Sequence, residues 1–353
     1  MRPALHAFLV NGRFGDPALY VELPFERRAL VFDLGDLHVL SPRRLLRLEA
    51  ALVTHAHMDH LIGFDTLLRH LVGREKRFAL VGPEGIAARI GHKLQGYSWD
   101  LAGLYAAELA FEVTEVAGNP AAPAGGLPWR RTRFRLSTGF APEPGEAGVA
   151  EDGTVLHLPR LEIQAALLSH HGAPCLGYLL REVSHVNLWR ERLDALGLPT
   201  GPWLNGLKRA VQENAPDDHP IPILARGQGP RTLPSTLPLG LLRQAVTVTP
   251  GQRIGYCTDL GDTPENRETV ARLAREADLL FLESAFAAED AALAARRGHL
   301  TTRAAGEIAR AARVRRLEPF HFSARYAGQE ARMLAEAADA FGRPLAPAET
   351  PEG

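Results

Sequence analysis

The sequence predicts a layered α/β fold. Short apolar runs that are typical of strands alternate with stretches of helical periodicity between residues 19 and 94. Residue types that bind metals well follow several of these runs directly, as functional side chains carried on a rigid scaffold often do. The chain has 353 residues, of which 46% are hydrophobic and 23% are charged. This composition is ordinary for a globular protein with one large core.

The elements of the first half follow in order along the chain. Strands are predicted at 19–23, 29–33, 51–53 and 78–83, and helices at 63–72 and 86–94, where apolar residues recur on one face. Low-complexity stretches at 118–128 and 141–153 predict surface loops.

The second half contains one long interruption. Apolar segments at 161–168, 253–259, 279–283 and 316–321 continue the alternation, but residues 186–245 hold a short helical stretch followed by Pro-rich sequence with many turn signals. We therefore expect one domain over residues 1–353, into which residues 186–245 are inserted as an arm and a Pro-rich excursion.

Charge and cysteine content exclude several classes of protein. The formal net charge is −1, so only a local basic surface could bind nucleic acid. The two cysteines cannot form a disulfide framework. No apolar stretch approaches the roughly 18 residues of a membrane span. We expect a cytoplasmic protein with no membrane partner.

The most informative segment is His55-Ala56-His57-Met58-Asp59-His60, which follows the apolar run at 51–53. In extended geometry, His55 and His57 would share one face. Asp59 and His60 lie where the chain must turn, and they could reach a second metal about 3.5–4 Å from the first. Four such ligands in one short segment favour a metal site over capping or core histidines. Imidazoles with a carboxylate suit zinc, manganese or iron. The segment therefore predicts a metallohydrolase.

Further ligands are expected at the ends of later strands, because a two-metal site needs about six or seven ligand atoms. Three places fit this expectation: His170 or His171, Asp259 and His321, each of which follows an apolar run.

The histidine motif at 55–60 is followed along the chain by the three later places for ligands. This order of ligand positions resembles that of the metallo-β-lactamase superfamily and, within it, of the ribonuclease Z group. The resemblance runs from about residue 30 to residue 326. Three features are specific to that group: a histidine six residues before Gly177-Tyr178, the run His299-Leu300-Thr301, and the run His321-Phe322-Ser323-Ala324-Arg325-Tyr326. One departure is the segment 11–18, where the group carries a loop of the type Pro-Thr-Lys-x-Arg-Asn.

The resemblance implies an αββα sandwich, in which two mixed sheets lie face to face with helices outside. It also implies two Zn²⁺ ions, with Mn²⁺ as the alternative, and it selects His171 rather than His170 as a ligand. The implied metal ligands are His55, His57, Asp59, His60, His171, Asp259 and His321, with Asp259 shared between the two metals.

Further roles are implied for residues around the metals. His299 is expected to protonate the leaving ribose oxygen, and Glu283 to raise its pKa and fix its tautomer. Asp59 is expected to orient the nucleophile as well as bind metal. Asp33 is either a residue that orients a ligand histidine or a turn aspartate.

Two groups of residues are candidates for substrate binding. Ser323 and Arg325 are expected at a substrate phosphate. Lys208 and Arg209 belong to a segment that resembles the arm with which ribonuclease Z grips tRNA. The alternative for this segment is a small amphipathic hairpin that packs on the rest of the protein or on another subunit. The sequence therefore leaves open whether the protein forms a homodimer.

Three functions remain at this point. The first is a phosphodiesterase that cleaves RNA, most specifically precursor tRNA at its 3′ side. The second is a hydrolase of a small phosphodiester, lactone, thioester or sulfate ester on the same metal core. The third is a non-catalytic RNA-binding or scaffold protein, which the intact ligand set disfavours.

Overall fold

The computed structural model describes residues 5–24, 26–118, 126–171, 173–223 and 236–345. The first large sheet contains β1 (His6–Leu9), β2 (Leu19–Leu23), β3 (Arg28–Phe32), β4 (Leu48–Leu52), β5 (Lys76–Pro83), β6 (Leu109–Val116), β7 (Leu127–Arg135) and β8 (Pro142–Ala150). The second contains β9 (Thr154–Leu158), β10 (Leu161–His170), β11 (Ala173–Glu182), β16 (Arg253–Cys257), β17 (Leu279–Glu283) and β18 (Leu317–Phe320). Two short pairs join β12 (His185–Leu188) to β15 (Val246–Thr249) and β13 (Pro220–Pro222) to β14 (Thr236–Pro238).

The helices lie between these strands along the chain. They are α1 (Pro42–Arg47), α2 (Phe64–Leu71), α3 (Ile86–Gln95), α4 (Arg190–Ala195), α5 (Trp203–Gln212), α6 (Leu239–Arg243), α7 (Pro264–Leu273), α8 (Ala291–Arg297), α9 (Thr302–Ala311) and α10 (Glu330–Phe341). In the described part of the chain, none of them is long and apolar enough to cross a membrane.

Both large sheets are mixed. The first runs in sequence order, with parallel pairing from β3 to β6 and antiparallel pairing at both edges. The second has the order β18-β17-β16-β11-β10-β9, and its β16, β17 and β18 are parallel. Parallel neighbours require crossover connections, which α1, α2 and α3 supply in the first sheet and α7 to α9 in the second.

Three apolar clusters separate four layers. On β3, Val31 faces the cluster that contains Phe64 and Ile90 of the helices, whereas Phe32 faces the opposite cluster. Alternation along a strand causes this division. The second cluster joins the inner faces of the two sheets, and the third packs the second sheet against α7, α9 and α10. The predicted αββα sandwich is confirmed.

Two contacts between the sheets hold the histidine motif in place. The hydroxyl of Tyr178 on β11 donates to the carbonyl of Val53 at 2.8 Å, and the amide of Leu176 donates to the carbonyl of Thr54 at 2.9 Å. The chain just after β4 is therefore fixed against the second sheet immediately before His55.

The chain divides into two compact units. One contains residues 1–181 and 252–353, and the other contains residues 182–251. The second unit has its own apolar core, to which α5 contributes Trp203, Leu207 and Val211. The segment 186–245 that was expected to be an insertion falls within this unit, although its residues 224–235 lie outside the described residues.

One expected loop proved to be a strand. Residues 142–150, within the acidic and Pro-rich stretch 141–153, form β8 at the edge of the first sheet. Proline and charged residues are typical of edge strands, because an edge offers backbone groups that need no partner. In the other stretch, 118–128, residues 119–125 lie outside the described residues and β7 begins at Leu127.

Candidate metal centre

The candidate site is built from chain segments that follow strands of both large sheets. Asp33 follows β3, and the histidine motif follows β4 after a short extended stretch. From the second sheet, His170 ends β10, Asp259 follows β16 and His321 follows β18. Three of these residues, Asp33, Asp259 and His321, have φ values of 56°, 52° and 59°. Such left-handed conformations are costly for residues other than glycine and occur often at functional sites.

Ligand-type atoms converge in three overlapping groups. The first group contains His55, His57, His170 and Asp259; the second contains Asp59, His60 and His321; the third contains Asp259, His299 and His321. Within each group, these atoms lie within 4.8 Å of one another. Asp259 belongs to two of the groups, as a carboxylate shared by two metals would.

His170 takes the place that was expected for His171. His170 is 5% exposed, and its Nε2 lies 3.9 Å from Asp259 Oδ1. His171 is exposed, at the turn that follows β10, with φ of 49°. The structure brings His170 rather than His171 into the ligand group, because β10 extends through residue 170 and directs its last side chain inward. Position 170 lies two residues after the apolar Leu168, and alternate residues share one face of a strand. This spacing is the feature of the sequence that could have indicated a buried His170.

A hydrogen bond also fixes the orientation of His170. Its Nδ1 lies 2.9 Å from the carbonyl of Gly298, which can only accept, so Nδ1 carries the proton and Nε2 is free to bind a cation. An arrangement of this kind is usual for histidines that bind metals.

Three buried imidazole nitrogens in the site have no hydrogen-bond partner. They are His55 Nε2, His60 Nε2 and His321 Nδ1. Buried polar atoms are normally paired, so an orphan atom calls for an explanation. Imidazole and carboxylate donors without thiolate suit divalent ions such as zinc or manganese. The residues present therefore fit a divalent metal centre, and coordination would pair all three nitrogens.

Asp33 holds the histidine motif from beneath. Its carboxylate accepts from the backbone N–H of Thr54 at 2.7 Å and from the hydroxyl of Tyr256 at 3.0 Å. It also lies 2.8 Å from Nδ1 of His60, whose Nε2 faces Asp259 Oδ2 at 3.0 Å. Asp33 is fully buried, so it orients a histidine and is not an exposed turn residue.

Electrostatic interactions keep the central carboxylate ionised. Burial alone would raise the pKa of Asp259, but the imidazoles of His321 and His60 hold this pKa well below its usual value. Burial has the opposite effect on His55 and, together with His60, lowers its pKa to about 3. A neutral imidazole and an ionised carboxylate are the forms that bind metals.

The predicted pair of His299 and Glu283 is present. His299 Nδ1 lies 2.9 Å from Glu283 Oε2, and the other oxygen of Glu283 accepts from the backbone N–H of Leu260 at 2.7 Å. Burial would lower the pKa of His299, but the adjacent Glu283 carboxylate outweighs burial and raises it to about 9. His299 is therefore protonated at neutral pH and can donate a proton.

A cleft of about 500 Å³ opens beside these residues. Asp59, His299 and His321 line it, together with the predicted substrate residues Ser323 and Arg325. The guanidinium of Arg325 lies 3.5 Å from Asp290 and over the ring of Phe286.

The cleft also includes residues that the sequence analysis did not propose. Among them are Phe14, Asp16 and Arg297. Phe14 and Asp16 belong to the segment 11–18, which the sequence marked only as a departure from the ribonuclease Z pattern. That departure is the feature of the sequence that could have indicated their place in the cleft. The predicted Lys208 and Arg209 lie on α5 in the unit 182–251, where Lys208 is half-buried and Arg209 is exposed.

Comparisons with known proteins identify the family. Residues 220–322 match the family model of the beta-lactamase superfamily domain. Ribonuclease Z of Deinococcus radiodurans is 33% identical over 317 residues, which cover 88% of this chain and 87% of that protein. Ribonuclease Z of Synechocystis sp. is 29% identical over 335 residues, which cover 92% and 84%.

Two solved structures share the fold. The short form of human tRNase Z aligns with a TM-score of 0.51 and 16% identity, covering 91% of this chain and 93% of that one. A metallo-beta-lactamase fold protein of Bacillus subtilis aligns with a TM-score of 0.52 and 14% identity, covering 97% and 95%. With its donor groups at the strand ends of a four-layer sandwich, the chain belongs to the ribonuclease Z family of the metallo-β-lactamase superfamily.

Proposed function

We propose that the protein is a metal-dependent endoribonuclease that cuts precursor tRNA at its 3′ side. The observation that carries the proposal is the His299–Glu283 pair, because it places a proton donor beside the candidate metal ligands around Asp259. A ribose oxygen is a poor leaving group and needs a proton, whereas a lactone or thioester does not need one in this way. The ribonuclease Z relatives support the same activity.

The proposed cofactor is a pair of zinc ions, with manganese as the alternative. One ion would be held by His55, His57 and His170, and the other by Asp59, His60 and His321. Asp259 would be shared, because its carboxylate also lies near His60 and His321. When bound, two such ions supply Lewis-acid activation of a water and positive charge for the phosphate.

The protein's own side chains would supply orientation and proton transfer. Asp59 is 43% exposed at its side chain, borders the cleft, and can accept a hydrogen bond from the attacking water. The attacking water loses a proton to the solvent as its oxygen bonds to phosphorus. The bond from phosphorus to the ribose oxygen breaks, and its electron pair stays on that oxygen. His299 then gives its proton to the oxygen, and Glu283 stabilises the imidazolium until that moment.

Substrate binding is assigned to two regions. We propose that Ser323 and Arg325 contact a phosphate in the cleft that they line. We propose that Lys208 and Arg209 of α5 contact the tRNA outside the cleft. These contacts would contribute binding and not bond breaking.

The test is cleavage of precursor tRNA by the purified full-length protein with zinc or manganese. We expect one cut at the 3′ side, none in the mature tRNA, and loss of the cut in His299→Ala. If the precursor stays intact with either metal while a lactone or thioester is hydrolysed, the proposed function is wrong.

A further inference from the structure

We infer that Asp16 binds a ribose 2′-hydroxyl next to the scissile phosphate and thereby selects RNA over DNA. The inference rests on the proposed function, because it assumes that a nucleic acid enters the cleft. It assigns a specificity role to the segment 11–18, in which the chain departs from the ribonuclease Z pattern.

Asp16 lies within the electrostatic reach of the metal ligands. It lines the same cleft as Asp59, His299 and His321. Its carboxylate interacts electrostatically with Asp59 and with the imidazoles of His60 and His321. A group in this position would face a ribose beside the scissile phosphate.

Among the residues that the structure describes, no Lys, Arg or His side chain forms an ion pair with the carboxylate of Asp16. A phosphate cannot be its partner, because both groups are negatively charged. The cleft provides other groups for phosphates, since Arg297 and Arg325 also line it. An ionised carboxylate only accepts hydrogen bonds, so its partner in the substrate must carry an O–H or N–H group.

The 2′-hydroxyl is the donor that best meets this requirement. Every RNA nucleotide carries one on the same ring as its 3′-oxygen, whereas base amino groups lie farther from phosphorus and vary with sequence. DNA lacks the group, so a protein acceptor at this place distinguishes the two polymers.

The loop that carries Asp16 is firmly held. The side-chain amide of Asn11 donates to the carbonyls of Asp16 and Asp36 at 2.8 and 2.9 Å. The amide of Gly35 donates to the carbonyl of Pro17 at 3.0 Å, and a Cβ at Gly35 would lie 2.7 Å from the carbonyl oxygen of Asp16. A rigid support of this kind is what selective recognition of one hydroxyl requires.

A second anchor fixes the start of the loop. Arg13 is buried and forms ion pairs with Glu318 at 2.5 Å and Glu330 at 2.5 Å. Its carbonyl accepts from the amide of Phe322 at 2.8 Å. The loop is thereby tied to the same chain segment that carries His321 and Ser323.

The test compares precursor tRNAs that differ by one oxygen atom. In each substrate, one of the two riboses that flank the scissile phosphate is 2′-deoxy, and kcat/KM is measured against the all-ribose precursor. For the unmodified protein, we expect at least one of the two deoxy substrates to lose about tenfold or more, the effect of a hydrogen bond to a charged group. The ratio of kcat/KM on the all-ribose precursor to kcat/KM on the deoxy precursor measures this loss. In Asp16→Ala, this ratio should fall to within about twofold of the intrinsic effect of the deoxy sugar.

Because both substrates are measured with the same variant, the ratio does not depend on the folded fraction or on the overall catalytic rate of that variant. Asp16→Asn keeps an acceptor oxygen and should retain part of the discrimination. Asp36→Asn removes a carboxylate from the neighbouring loop outside the described cleft lining, and its ratio should equal that of the unmodified protein. An equal deoxy penalty in Asp16→Ala and in the unmodified protein would overturn the inference, as would no penalty in either. Failure to cut the all-ribose precursor would instead contradict the proposed function.

Discussion

At the residue scale, hydrogen bonds determine which ring nitrogen of three histidines in the site is protonated and which is left without that proton. The carbonyl of Gly298 orients His170, Asp33 orients His60, and Glu283 orients His299. In every case the acceptor occupies Nδ1, which leaves Nε2 directed toward the ligands or the cleft. Such partners are a large part of what determines metal affinity.

The first prediction separates His170 from His171. His170→Ala should lower the metal content by about one equivalent per chain, because it removes a buried donor of the first group. His171→Ala is the matched control and should keep the full content, since this residue is exposed. Elemental analysis measures the metal content of both proteins after reconstitution. Metal loss in His171→Ala with none in His170→Ala would show that His171 is the ligand.

The second prediction concerns the proton donor. His299→Ala should keep both metals but lose roughly 10²–10⁴-fold in turnover on RNA, the usual contribution of a positioned general acid. A nitrophenyl phosphodiester has a leaving group that departs without a proton, so the loss on that substrate should be much smaller. Steady-state kinetics on both substrates test this, and equal losses would mean that His299 has another role.

The third prediction follows from the pKa of His299, which Glu283 raises to about 9. A general acid must be protonated, so turnover on RNA should stay high at neutral pH and fall as the pH rises through about 9. In Glu283→Gln, the charge that favours the imidazolium is gone, and the fall should move to lower pH. The pH profile of kcat measures the shift; an unmoved alkaline limb would show that another group titrates.

At the element scale, α5 shows how one helix serves packing and surface charge together. Trp203, Leu207 and Val211 face the core of the unit 182–251, while Arg209 stays exposed. Because the apolar positions recur at helical spacing, the helix buries one face and leaves Arg209 exposed on another.

The fourth prediction tests this basic face. Lys208→Ala combined with Arg209→Ala should weaken binding of precursor tRNA and reduce its salt dependence by about 1–2 in log–log slope, because each lost phosphate contact releases one fewer counterion. Hydrolysis of a nitrophenyl phosphodiester should be unaffected. Glu191→Ala, on α4 of the same unit, is a control for general surface changes. An unchanged salt slope would remove α5 from the tRNA interface.

At the scale of the whole molecule, the first unit brings together ligands from strands that are far apart in sequence. A bound cation would therefore cross-link the two sheets, since His55 and His60 follow the first sheet while His170 and Asp259 belong to the second.

The fifth prediction is that two metals bind per chain and stabilise the fold. Ligands that bind only the folded state raise its stability, and their removal by a chelator should lower the Tm by about 5 °C or more. Calorimetry with and without chelator, together with elemental analysis, measures both effects. At most one tightly held metal after reconstitution would contradict the second ligand group of Asp59, His60 and His321.

The sequence by itself determined the features that depend on local pattern. The β–α alternation, the segment His55–His60 and the strand ends at Asp259 and His321 could all be predicted, because periodicity and ligand spacing extend over only a few residues. The resemblance to ribonuclease Z supplied His299 and Glu283.

Tertiary structure alone decided which of these residues meet. Asp33 pairs with Tyr256 across 223 positions of the chain, and Asp16 joins a cleft built mainly from residues 285–325. His170 was preferred over His171 only once the end of β10 was placed against the motif. Contacts between distant segments depend on how sheets pack and pair, and no local periodicity records that arrangement.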